Sequence, residues 1–267
     1  MALTMGQERG PTKRERREAA RAERIEQQRR EAEVAARRRR LGIFGAIMLA
    51  AVVVVAIAIA LSSNGGKKTA SSGGAVAGVG ESLDLYKGIP QRGIELGEPS
   101  AKALIVEFVH PKCPICRDWE LSEIPDVVKQ YVRTGRARLQ MRVMDFTTLG
   151  PDSVLGGQAF NGASAQNLLF QFAAVVYHNQ GPETEQWVTE PLMLKLAATV
   201  PGLDGARMLT DGAGASGQKL LEQTNALAAR YGVGGTPTVL VGRDTGSLAK
   251  VGATASAVGD AIAKLEG

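Results

Sequence analysis

The stretch Ala103-Leu-Ile-Val-Glu-Phe-Val-His-Pro-Lys-Cys113-Pro-Ile-Cys116 decides how the chain is read. Its first half is a short apolar, β-rich run, as expected for a buried strand. After Cys116 the period changes: Trp119, Ile124, Val127, Val128 and Tyr131 recur at three- and four-residue steps, which predicts a helix. The cysteines therefore fall at a strand-to-helix junction, with Cys113 at or just before the first helical turn. Unpaired amides and the dipole at a helix start stabilise a thiolate, the nucleophile of disulfide exchange. Pro114 falls at an early helical position, where its missing N–H costs nothing. Two intervening residues put both sulfurs on one turn, within reach of a disulfide. Cys113 is expected to be exposed and attacking, and Cys116, one turn inward, to resolve the mixed disulfide.

These are the only 2 cysteines among 267 residues. A disulfide-rich scaffold needs more, and a zinc site built only from cysteines needs a second pair, so no metal site is expected. A lone Cys-x-x-Cys is shared with zinc half-sites and chance pairs; the strand before it and the helix after it favour redox chemistry. No cofactor is expected.

Towards the N-terminus the composition changes. Residues 1–40 hold 13 of the 32 Lys and Arg and 7 of the 27 Asp and Glu, leaving 19 and 20 for the rest, so the basic balance belongs to this arm. Its arginines are interspersed with acids, and pairs such as Glu26–Arg30 suit a solvated helix. Binding of nucleic acid or anionic lipid is the alternative for such a tract, but it lacks aromatic residues to stack on bases, and no nucleic acid is expected as a partner. Residues 41–61, LGIFGAIMLAAVVVVAIAIAL, form a run without a charge, and about 20 such residues span a bilayer core. A single transmembrane helix is expected there. The competing reading is a cleaved leader with a small-residue site at Ala75–Ala77, which lies well beyond the apolar run. Arg37 to Arg40 abut the span on one side, against Lys67 and Lys68 on the other. That asymmetry places a basic arm, 1–40, in the cytoplasm and the remainder outside a plasma membrane. Residues 62–80 are rich in Ser, Gly and Ala and read as a flexible linker. One folded domain is expected over 81–267.

Far downstream stands Val233-Gly-Gly-Thr236-Pro237-Thr-Val-Leu-Val, followed by Gly242 and a strand-like Leu248–Val251. Glu107, the Cys-Pro-Ile-Cys pair and this segment, taken in order, resemble the thioredoxin superfamily. The segment CPICRDWELSEIPDVVKQYVRTGRARLQMRVMDF looks like its active-site helix, with Pro125 at the kink, followed by the next central strand. Cys116 and Pro237 lie too far apart for a bare thioredoxin, and helix-like segments at Ala163–His178, Glu183–Thr199, Leu203–Leu209 and Gln218–Tyr231 fill the gap. That pattern is similar to the DsbA-like branch, especially its membrane-anchored actinobacterial members. It implies an α/β thioredoxin fold with an inserted helical domain at about 155–231, preceded by the single transmembrane helix.

The resemblance also implies roles. Glu107 would accept or relay the proton of Cys116, Thr236 and a cis-Pro237 would face the sulfurs, and the Thr236 backbone would pair with an extended substrate. Pro114 and Ile115 would line the substrate approach. Read alone, Glu107 suits a salt-bridged strand end, and Pro237 an ordinary turn proline. His110 reads as a solvent-facing loop residue, or, if protonated, as a charge favouring the thiolate. His178 reads as a cap or surface residue, Trp119 and Trp187 as packing, and Met141 and Met144 as filler.

The expected activity is extracytoplasmic thiol–disulfide exchange, oxidising cysteine pairs of exported proteins, with recycling by a membrane quinone-linked partner as the family implies. Ile115 offers Cys113 no hydrogen bond and no charge, so a milder potential is expected than where a histidine stands between the cysteines. Reductase or isomerase action on envelope proteins, and a non-enzymatic binding or chaperone module, are the alternatives.

Overall fold

The computed structural model describes residues 75–145 and 149–267. The arm at 1–40, the span at 41–61 and linker residues 62–74 lie outside the described residues. Among the described residues no helix is long and apolar enough to cross a membrane.

The chain runs α1 (Val79–Tyr86), β1 (Gln91–Arg92), β2 (Glu95–Leu96), β3 (Ala103–Val109) and α2 (Pro114–Asp118). The helix of α2 continues through a π turn at Trp119–Glu123, α3 (Ile124–Val127) and a second π turn at Val128–Val132. Then follow β4 (Ala137–Val143), α4 (Pro151–Ala165), α5 (Leu169–His178), α6 (Glu190–Ala197), α7 (Gly205–Ala213), α8 (Ala215–Arg230), β5 (Thr238–Gly242), β6 (Ala249–Val251) and α9 (Ala255–Glu266). The described strands form one sheet in the order β1-β2-β4-β3-β5-β6, with β3 parallel to β4 and antiparallel to β5.

The central position of β3 explains its composition. All seven of its residues are buried, because both its edges are paired and both its faces covered. Strand alternation sends Leu104, Val106 and Phe108 to one face, where they pack with Leu227 and Ala228 of α8. Ala103, Ile105 and Val109 face the larger cluster, which contains both cysteines and Trp119. Glu107 shares that parity, so its carboxyl is directed to the side on which the active-site helix packs.

The helical insertion runs from Pro151 to Arg230, and its internal boundaries differ from those expected. The expected helix Ala163–His178 is two helices. Asn167 adopts a left-handed φ of 58°, and the Leu168 and Asn167 amides donate to the Ala163 and Ser164 carbonyls, closing α4 with a Schellman turn. Residues 183–189 are not helical; α6 begins only after Thr189, whose side chain accepts the Leu192 amide, with Pro191 in the first turn. Asp204 caps α7 in the same way, so Leu203 lies outside it. The first part of α4 was not anticipated. It holds Gly156, Gly157 and Gly162, and a Cβ at Gly162 would overlap the Met208 carbonyl of α7. Glycine there permits close helix contact.

The linker expected through residue 80 is also too long. Val79 and Gly80 belong to α1, and the Ala77 amide and carbonyl both bond the Asn179 side chain, at 3.0 Å each.

Candidate active site

Cys113 ends the short loop after β3 and is the N-cap of α2, with φ −73° and ψ 117°. Its Sγ accepts the Cys116 amide at 3.2 Å and lies 3.4 Å from the Thr236 carbonyl, to which it donates when protonated. The Thr236–Pro237 bond is cis, and the Thr236 carbonyl of the loop before β5 faces the sulfur. The Thr238 hydroxyl donates to the Gly235 carbonyl at 2.7 Å and braces that loop. Both cysteines are free thiols. Cys113 is 6 % exposed and Cys116 fully buried. Cys113 is therefore more enclosed than expected, with the Thr236 carbonyl against its sulfur. Pro114 and Ile115 instead reach solvent, Ile115 at 63 %, forming an apolar lip beside it.

The two sulfurs are placed in opposite acid–base situations. Hydrogen bonding from the Cys116 thiol, helped by Thr236 and the amides of Cys116 and Ile115, outweighs burial and lowers the Cys113 pKa to about 6. Burial, and then the neighbouring Cys113, push Cys116 far up. At neutral pH Cys113 is the thiolate and Cys116 keeps its proton. The expected result is an iodoacetamide alkylation profile for Cys113 with its midpoint near about pH 6, against ~8.5 for a free cysteine. A midpoint above about 8 would remove the basis for this assignment.

Glu107 is fully buried, and the Trp119 indole donates to its Oε2 at 2.7 Å. Trp119 therefore packs, as expected, and also orients the acid. Burial raises Glu107 to about 8, opposed by hydrogen bonds from Trp119 and Glu120. The strand-end salt bridge is not formed. Glu120 is a residue that the sequence reading missed: it is 2 % exposed, and burial and Glu107 raise it well above the carboxylate range. A signal was present, since Glu120 lies four residues after buried Cys116 and so on the same helix face. The π turn at Trp119–Glu123 brings the adjacent Trp119 and Glu120 both inward.

The loop His110–Cys113 is held from the insertion. Lys112 is 1 % exposed and donates to Asp152 at 2.8 Å and to the Leu149 carbonyl at 2.7 Å. Gln180 donates to the carbonyls of Pro111 and Cys113, at 2.8 and 3.0 Å, and the Tyr177 hydroxyl to that of His110, at 3.3 Å. His110 departs from expectation. It is buried, its Nδ1 accepts the Lys112 amide at 3.2 Å, and its Nε2–H therefore donates to Ser153 Oγ at 2.7 Å. Burial and the Lys112 charge lower it to about 4, so at neutral pH it is uncharged and supplies no positive charge to the thiolate. His178 ends α5 with Nε2 3.6 Å from Glu81. Trp187 packs over Gly181, Met141 is core, and Met144 joins the cluster under α8. Among the described residues no group of His, Cys, Asp and Glu is arranged to hold a metal ion.

The thioredoxin family profile matches residues 91–249, more than half of the chain and both halves of this site. The chain belongs to the thioredoxin family. Within the family it is a DsbA-like protein-disulfide oxidoreductase. It is 30 % identical over 149 residues to the probable disulfide bond formation protein D of Bacillus cereus, covering 55 % of this chain and 68 % of that protein. The Bacillus anthracis protein described in the same words is 29 % identical over the same shares. Among solved structures, oxidised BdbD from Bacillus subtilis superposes with a TM-score of 0.57 at 21 % identity, over 67 % of this chain and 98 % of that one. A thioredoxin-like oxidoreductase from Silicibacter pomeroyi gives 0.52 at 25 %, over 70 % and 96 %. MdbA, a thiol-disulfide oxidoreductase from Corynebacterium diphtheriae, gives 0.52 at 17 %, over 65 % and 93 %. The helical insertion of this chain thus belongs to a DsbA-like thioredoxin fold.

Proposed function

We propose that Cys113 and Cys116 are the redox pair of this oxidoreductase, and that it works outside the cytoplasm to oxidise cysteine pairs in exported proteins. The observation that carries the pair is the position of the Cys113 sulfur, which accepts the Cys116 amide at 3.2 Å and faces Thr236. In that position a thiolate is stabilised and an extended substrate has backbone to pair with at Thr236. Glu107 serves as proton acceptor and donor for Cys116, cis-Pro237 walls the sulfur, and Pro114 with Ile115 offers an apolar lip to the substrate.

The direction follows from the thiolate. A stabilised Cys113 thiolate favours the reduced enzyme and so makes its disulfide the stronger oxidant. A pKa of about 6 lies between the values of ~7 for thioredoxin and ~3.5 for DsbA. The names of the Bacillus relatives, which refer to disulfide bond formation, point the same way. The site outside the membrane rests on the apolar run 41–61 and the arginines before it. Recycling by a membrane quinone-linked partner goes with that placement.

Equilibrating the protein with glutathione mixtures measures the potential. The expected value lies between the ~−270 mV of thioredoxin and the ~−120 mV of DsbA, at about −230 mV. A value at or below about −270 mV would exclude the oxidising direction and leave reduction or isomerisation.

A further inference from the structure

The loop His110–Cys113 has few groups with which to brace itself. Pro111 within it and Pro114 after it carry no N–H, so few amides are at hand for its own carbonyls. The Lys112 amide donates to His110 Nδ1, and the Cys113 amide to the His110 carbonyl at 3.0 Å. The carbonyls of Pro111 and Cys113 are met by one side chain of the insertion, Gln180, at 2.8 and 3.0 Å. Both acceptors are carbonyls, so the nitrogen of the Gln180 amide must face them, and both its hydrogens are engaged.

Gln180 is held in its turn. It follows α5, and its own backbone amide donates to the Tyr177 carbonyl at 3.4 Å. The same carbonyl accepts Arg117 Nε of the active-site helix at 3.2 Å. The active-site helix thus grips the end of α5, and the end of α5 grips the loop that leads into that helix. His178 and Asn179, which stand between Tyr177 and Gln180, instead meet Glu81 and Ala77 of the N-terminal segment.

We propose that Gln180 is a positioning residue for disulfide exchange, bridging the Pro111 and Cys113 carbonyls so that the Cys113 sulfur stays against the Cys116 amide. The inference rests on Cys113 and Cys116 being the redox pair. Where the Cys113 side chain points relative to α2 depends on two soft backbone dihedrals. The bond to His110 holds the peptide plane before Cys113. Gln180, with the Arg117 amide at 3.1 Å, holds the plane after it. A rotation that moves the Cys113 carbonyl also moves the first turn of α2 relative to the sulfur, and so lengthens the 3.2 Å bond from the Cys116 amide. That bond favours the thiolate, and the stability of the thiolate sets how strongly the enzyme disulfide oxidises its partner. The titratable and charged groups about the sulfur are untouched by a change at Gln180. Burial keeps the protons on Cys116 and Tyr177, His110 is uncharged at neutral pH, and Lys112 is paired with Asp152.

Gln180→Met keeps the reach of the side chain but has no N–H, and Gln180→Glu, when ionised, accepts only. The full chain of each is equilibrated with reduced and oxidised glutathione, and Cys113 is alkylated across a range of pH. Gln180→Met is expected to lower the equilibrium constant for reduction of the enzyme disulfide about fivefold, or about 20 mV. The alkylation midpoint is expected to rise from about pH 6 by the same factor in thiolate stability, to nearly pH 7. Gln180→Glu is expected to move both in the same direction and further, and carries the test if Gln180→Met does not fold. Asn179→Ala, which loosens the same turn on the side of Ala77, is expected to leave both within about 1.5-fold of wild type. A Gln180 variant that loses stability in urea but keeps midpoint and equilibrium constant within about 1.5-fold would show a structural brace only, and would overturn the proposal. So would an equal shift in Asn179→Ala. If wild type forms no Cys113–Cys116 disulfide with glutathione, the redox pair has failed instead, so the two failures are distinguishable.

Discussion

Replacing Cys113 with serine is expected to lower the rate of disulfide exchange by more than about a thousandfold, while leaving the fold intact. The attacking group is a thiolate, and Cys113 is one at neutral pH because its pKa is lowered to about 6. A serine hydroxyl in the same place is not ionised, and an oxygen cannot take part in sulfur exchange. The N-cap bond to the Cys116 amide can be kept by the hydroxyl, so α2 retains its start. Cys116→Ser is expected to behave differently. Cys113 still attacks, but nothing resolves the product, so mixed disulfides with clients accumulate. Non-reducing electrophoresis with mass spectrometry checks both variants. Residual exchange by Cys113→Ser above about one per cent of wild type would count against Cys113 as the attacking group.

Lys112→Met is expected to destabilise the protein by about 3–5 kcal/mol. The ammonium and the Asp152 carboxylate are both nearly shut from solvent, at 1 % and 8 % side-chain exposure. Among the described residues, removing the cation leaves Asp152 the Trp187 and Val188 amides, at 3.1 and 3.2 Å. It also deprives the Leu149 carbonyl of its donor. The pair joins the loop carrying Cys113 to the first turn of α4, so the loss should also loosen the active site. A double variant, Lys112→Met with Asp152→Leu, is expected to recover much of the loss, since the uncompensated charge has gone. Urea denaturation gives the values, and a single-variant cost below about 1 kcal/mol would show that the pair contributes little.

The pH dependence has a definite sign. Burial alone would raise Asp152, but Lys112 and the two amides outweigh it and lower its pKa. Its contribution is therefore present above the ordinary carboxylate range and lost as pH falls through the lowered pKa. That acid limb should flatten in Lys112→Met. Glu107 acts in the opposite sense. Its raised pKa favours the folded state at low pH, and that contribution is lost as pH rises from the carboxylate range to about 8.

Local chemistry is what one sequence displays. The period change at Cys116 and the Pro after Cys113 are neighbour relations along the chain; with the order of Glu107, Cys-Pro-Ile-Cys and Thr236-Pro237 they carry the resemblance that implied the fold class and the proposal that Cys113 attacks. The boundaries inside the insertion were less visible. Gly156, Gly157 and Gly162 have low helix propensity, and for Gly162 it is the close approach of α7 that explains the glycine. Thr189, Glu190 and Pro191 did carry a legible start signal for α6.

Partnerships over long separations were decided by tertiary structure alone. His110 is neutral and buried because Ser153, 43 residues away, receives its Nε2–H and because Lys112 stands beside it. Cys113 is roofed because Thr236, 123 residues on, is brought against it. Glu120 meets Glu107 because strand parity turns Glu107 towards the helix and a π turn rotates Glu120 inward. Sequence determines which groups can ionise, accept or attack; burial and distance, which exist only after folding, decide which of them hold a proton and where it can go.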